Sequence, residues 1–72
     1  MQLYQIVADM AGGTGKVVLF VVAGSDETAI RIAAAHDDGR FRHPTIVGSA
    51  DAASDLPPRV IALRTPGPNE PF

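Results

Sequence analysis

The segment Val17-Val18-Leu19-Phe20-Val21-Val22-Ala23 constrains this chain more than any other. It is an unbroken apolar run rich in β-branched residues, with an aromatic in the middle. That composition favours an extended backbone, and the length is that of a strand. A membrane-crossing helix needs roughly 20 such residues, so the run is not one. It follows Ala11-Gly12-Gly13-Thr14-Gly15, whose glycines permit positive φ and a tight reversal. Before the glycines, Leu3-Tyr4-Gln5-Ile6-Val7-Ala8 reads as a second strand. Its stronger side, Tyr4, Ile6 and Ala8, is expected to face the core, with Leu3, Gln5 and Val7 on the other side. The two segments predict a β-hairpin. The run is apolar on both faces: Val17, Leu19 and Val21 on one, Val18, Phe20 and Val22 on the other. A two-layer domain needs a single apolar face, so the second is a candidate interface with another copy or with a partner.

Gly24-Ser25-Asp26-Glu27-Thr28 has the chemistry of a helix start. Ser25 or Asp26 can accept from free N–H groups, and the two acids suit the positive end of the dipole. The helix is predicted to run from about Asp26 to Asp37, with Ala29, Ile32, Ala33 and His36 on its inner face and Gly39 as its stop. Thr45-Ile46-Val47-Gly48 reads as a short third strand. Residues 50–55 read as a loop or one helical turn. Arg59 to Arg64 reads as a fourth strand, and Pro57-Pro58 at its start suits an edge. The Pro-rich segment 65–72 is expected to be a disordered tail. The fold class expected is therefore α+β: a two-layer ββαβ(β) sandwich, its sheet of three to four mainly antiparallel strands carrying one helix on one face. Residues 1–64 form a single domain. A crossover through the helix places the third strand beside the first, antiparallel to it.

With 72 residues there is room for one small domain and no more. There are no cysteines, which excludes a disulfide framework, a zinc–thiolate site and a cysteine nucleophile. The formal net charge is −2, without the basic excess of non-specific nucleic-acid binders. The N-terminus lacks the pattern of a signal peptide, so a cytoplasmic location is expected.

Ala11 to Val17 resembles the deviant phosphate-binding loop KGGxGK[ST], but Ala11 stands at its first lysine and Val17 at its metal-binding hydroxyl. Such a loop also needs a helix behind it, where this chain has its β-branched run. The segment therefore reads as a hairpin turn and no nucleotide or other cofactor is expected. His36-Asp37-Asp38-Gly39-Arg40-Phe41-Arg42-His43 is the most polar stretch. Its spacing matches no metal-ligand pattern. The hydroxyls of Ser25, Thr28 and Thr45 have no base paired with them in sequence, so no catalytic set is expected. Arg40-Phe41-Arg42 combines residue types enriched at interfaces. In the plainer reading Phe41 closes the core and the arginines are solvated. Asp37, Asp38, Arg40, Phe41 and Arg42 are the candidate protein-binding residues. The acids Asp9, Asp26, Glu27, Asp37, Asp38, Asp51 and Asp55 could form a patch that steers a basic partner, but they read more plainly as solvated surface.

In size and in the ββαβ layout over residues 1–64, the chain resembles the small orphan proteins of bacteriophages and mobile elements, anti-CRISPR inhibitors among them. The resemblance lies in format and carries no residue over. It implies a non-catalytic, protein-binding inhibitor that sterically blocks a host nucleic-acid-targeting complex in the host cytoplasm. Two other readings stand beside it: a small structural or assembly subunit, for example of a virion, that pairs as a homodimer or larger assembly through its sheet edge or face, and an RNA- or single-strand-binding module. The acidic balance speaks against the last.

Overall fold

The computed structural model describes residues 1–10 and 15–64. The expected reversal at 11–14 and the expected tail at 65–72 lie outside them. Four strands, β1 (Gln2–Met10), β2 (Lys16–Ala23), β3 (Phe41–Asp51) and β4 (Arg59–Arg64), form one antiparallel sheet in the order β3-β1-β2-β4. The helix α1 (Asp26–Ala35) connects β2 to β3 and lies on one face, mainly over β3 and β2. This is the expected two-layer α+β sandwich, with β3 beside β1 and β4 on the far edge.

The hairpin pairs Tyr4 with Val21, Ile6 with Leu19 and Ala8 with Val17. Directly opposed residues share a face, so these six point together toward α1. All six are buried, and Ile6, Leu19 and Val21 are fully so. Ala29 and Ala33 of α1 meet them, and both are fully buried. Two alanines a turn apart have no bulk to hold the layers apart, so the helix backbone sits close to the sheet. Ile32, Ile46 and Val60 pack at the margin of this core.

Ser25 caps α1 as its chemistry predicts. Its Oγ accepts from the Thr28 N–H at 3.2 Å and its hydroxyl donates to Thr28 Oγ1 at 3.0 Å. The helix ends at Ala35, two residues before the expected Asp37. His36 to Gly39 forms a tight turn in which Asp37, Asp38 and Gly39 have φ of 52°, 58° and 79°. Aspartate tolerates the left-handed region better than most residues, because its short side chain bonds locally. Three such residues in a row end the helix more sharply than Gly39 alone would.

β3 spans Phe41–Asp51, well beyond the expected Thr45 to Gly48. The pairing energy of β1, which presents its full length to β3, extends the strand through Pro44 and Gly48 despite their poor intrinsic preference. Of residues 50–55, weighed as loop or one helical turn, Ala50 and Asp51 end β3, and residues 52–58 form a connection with one turn closed by the Leu56 N–H on the Ala53 carbonyl. It crosses one end of the sheet, where the Ala52 N–H donates to the Met1 carbonyl.

Candidate functional site

Residues on β1 and β2 that alternate with the core set point away from α1, onto a sheet face that no other described element covers. Across this face, Leu3 stands between Ala50 and Val22, Gln5 between Gly48 and Phe20, and Val7 between Thr45 and Val18. Val22 is in turn opposite Arg59, and Val18 opposite Arg64. Val22 is fully buried and Val18 is 4% exposed, although both lie on the uncovered side. Val22 lies between Leu3 and Arg59, and Val18 between Val7 and Arg64. Long arginine stems can shield apolar neighbours while keeping the charge in water. Leu3, Val7 and Phe20 remain half-buried.

The basic residues reach this face through irregular pairing. In β4, Arg59 and Arg64 are five apart, an odd spacing that in a regular strand would put them on opposite faces. A bulge between the partners of Phe20 and Val21 adds one residue at Ile61 and brings both arginines to the uncovered side. β3 has two such irregularities. One inserts Val47 between Ile46 and Gly48. The other sets Thr45 opposite Val7 and Arg42 opposite Asp9, leaving His43 and Pro44 across from Ala8. His43 adopts φ 54°, the left-handed conformation that lets a bulge form. The outcome is that Phe41 turns inward beside Met10, and Arg42 turns outward beside Asp9.

At that end of the sheet, Asp9 accepts from Lys16 Nζ at 2.7 Å, and the other carboxylate oxygen is 3.4 Å from His43 Nδ1. The Lys16 hydrogen bond and charge, with a smaller contribution from His43, hold the Asp9 carboxyl below its ordinary value. Arg42 and Arg59 are exposed and form no ion pair among the described residues. Among the described residues this face carries Lys16, Arg42, Arg59 and Arg64, with the Asp9 carboxylate beside Lys16.

The helix side has the opposite balance. Asp26, Glu27, Asp37, Asp38 and Asp51 are all exposed there. Its two bases are already engaged, Arg31 with Glu27 at 3.1 Å and Arg40 with Asp37 at 3.2 Å. Burial raises the Tyr4 hydroxyl above its ordinary value, and the hydrogen bond and charge of Asp26 push it the same way.

The five candidate residues read from sequence therefore separate. Asp37, Asp38 and Arg40 sit together on the exposed turn after α1. Phe41 is 6% exposed in the core and stacks on His36 with ring centroids 5.8 Å apart, so its ring closes the core. Arg42 lies on the other side of the sheet, among basic residues that sequence reading did not group with it: Lys16, Arg59 and Arg64. Their only signal in the sequence is a lysine or arginine at a strand terminus, and it says nothing about which face they share. The glycines at the start of β2 are followed by strand, not by the helix a phosphate site requires, and the Met10 N–H donates to the Gly15 carbonyl across the hairpin. Among the described residues no three His, Asp or Glu side chains gather as a metal-binding group. No described helix is long and apolar enough to cross a membrane.

No family model matches the chain, and comparison with curated proteins and with solved structures finds no match.

Proposed function

We propose that this protein is a non-catalytic protein-binding module, and that it acts as the small phage- and mobile-element inhibitors do, by occupying a surface of a host nucleic-acid-targeting complex. The observation that carries this reading is the sheet face opposite α1, which no other described element covers and on which Leu3, Val7 and Phe20 are half-buried. Its centre is aliphatic, its margin is arginine-rich, and arginine around an apolar centre is the composition of interface cores and rims. The hydroxyls a catalytic reading would need serve the fold instead. Ser25 and Thr28 bond each other at the helix cap, and the Thr45 hydroxyl donates to the His43 carbonyl at 3.3 Å.

Both sheet edges are poorly suited to strand pairing with another chain. β3 has two irregularities and Pro44, and β4 has a bulge, an arginine at each end and Pro57-Pro58 before it. These are the devices by which edge strands resist pairing. The face is accordingly the better contact surface. In the test, purified protein is added to guide-RNA–effector complexes and target-nucleic-acid binding is measured. Stoichiometric loss of target binding, abolished by Phe20→Glu in a variant shown by circular dichroism to be folded, is expected. Unchanged target binding across a panel of complexes refutes the inhibitor reading.

A second reading, a small assembly subunit, is favoured by the opposite charges of the two sides. These would suit head-to-tail stacking of copies. Light scattering separates the two: a monomer at all concentrations excludes the subunit.

A further inference from the structure

We infer that residues 65–72 of this chain fold back over β4 on its helix side, with Phe72 seated against the exposed aliphatic side chains of Ile61 and Leu63. This goes beyond the protein-binding reading and does not rest on it.

The edge strand β4 keeps apolar surface that α1 does not reach. Leu63 stands opposite Leu19 and Val60 opposite Val21, so both point to the helix side. Val60 packs at the margin of the core. Leu63 is 45% exposed, and Ile61, the extra residue of the bulge, is 44% exposed. The cause is the placement of α1, which lies mainly over β3 and β2. The opposite face of β4 carries Arg59, Ala62 and Arg64, so the large aliphatics of this strand gather on one side.

The chain itself supplies the occupant. It leaves β4 at Arg64, directly after Leu63, and continues as Thr65-Pro66-Gly67-Pro68-Asn69-Glu70-Pro71-Phe72, which lies outside the described residues. Pro66-Gly67 puts a proline and a glycine at the two central positions of a type II turn, where that turn calls for them. A reversal there sends the chain back along β4. Counting from the turn, Asn69 comes level with Arg64 and Phe72 with Ile61, one side-chain repeat from Leu63. Pro68 and Pro71 have no N–H to give a ladder, so the returning segment attaches by side chains and not as a further strand. Phe72 is its large apolar side chain, and covering Ile61 and Leu63 removes apolar area from water on both partners. Three prolines in eight residues restrict the segment before it docks, which lowers the entropy lost on docking. A second copy is the weaker occupant, because its approach on this side brings two acidic helix sides together.

The test is nuclear magnetic resonance on the full chain with labelled Ile, Leu and Val methyl groups, comparing the native protein with Phe72→Ala and Gly67→Val. The expected result is nuclear Overhauser contacts between the Phe72 ring and the methyls of Ile61 and Leu63, and ring-current shifts of those methyls that are lost in Phe72→Ala. Gly67→Val keeps the ring but places a β-branched residue where a type II turn needs positive φ, and it should lose the same contacts. Unchanged methyl shifts at Ile6 and Leu19 verify that both variants keep the core. Methyl shifts at Ile61 and Leu63 that are the same in the native chain and in Phe72→Ala, with amides 69–72 relaxing as free chain, make the segment a disordered tail and overturn the proposal. Shifts at Ile61 and Leu63 that move with protein concentration assign the strip to a second copy and overturn it as well. Neither result touches the protein-binding reading, which stands on the opposite face of the sheet.

Discussion

Asp9 is the residue whose ionisation the fold most clearly rearranges. Lys16 donates to one carboxylate oxygen and His43 approaches the other, so the folded chain holds the charged form and the carboxyl titrates lower than in the unfolded chain. A carboxyl with a depressed folded value adds stability that is present above its unfolded value, near 4, and is lost as pH falls through the folded value. The melting temperature of the native chain should therefore fall on the acid side, below about pH 4, more steeply than that of Asp9→Asn. The difference should shrink in high salt, because the Lys16 and Asp9 side chains are each about half exposed and the pair is screened. Parallel melts that show the same acid slope for both proteins would remove Asp9 as a contributor. Lys16 and Asp9 flank the glycine-rich segment and stand opposite each other in the observed register, a pairing the residues alone did not single out. The approach of His43 was no more legible, because it depends on how β3 is bulged.

At the scale of the element, β3 carries the most consequential irregularity. Its inward residues Phe41 and Ile46 are five apart, and only an inserted residue puts both on the core side. His43 supplies it with φ 54°, a conformation that costs an L-residue roughly 1–2 kcal/mol. Proline next in the chain adds to the strain, since it pushes the residue before it toward extended conformations. The cost is sustained because a regular strand would turn Phe41 out of the core. Substitution to glycine should relieve the strain, and His43→Gly is expected to melt within about 1 kcal/mol of the native chain or above it. His43→Val places a β-branched residue at positive φ and is expected to cost about 1–3 kcal/mol. Denaturant melts decide it: a valine variant as stable as the glycine variant would mean that β3 adopts another register.

At the scale of the whole molecule, stability comes from one thin core. Ile6, Leu19 and Val21 are fully buried beneath the alanines of a single short helix, and a domain of this size draws about 3–5 kcal/mol from such a core. Leu19→Ala, at about 2–5 kcal/mol, removes most of that margin and should leave the chain largely unfolded by circular dichroism at room temperature. Leu63 is the cross-strand neighbour of Leu19 but is 45% exposed, because α1 lies mainly over the other strands. Leu63→Ala should change stability by about 1 kcal/mol or less. Near-equal losses for the two variants would place the core elsewhere.

The order of hairpin, helix and strands was legible in the residues themselves, as was the inward set Tyr4, Ile6 and Ala8. Each rests on local physics: β-branched runs, glycines at a reversal, a serine cap and a two-residue alternation. The distribution of charge was not legible. The net charge of −2 averages over an acidic helix side and a basic sheet face. Which face each arginine joins is set by bulges at His43, Val47 and Ile61. A bulge is a property of two paired strands, formed where a neighbouring chain makes an extra residue cheaper than a slipped register. It is therefore decided in the assembled sheet and leaves no trace in the order of residues along either strand.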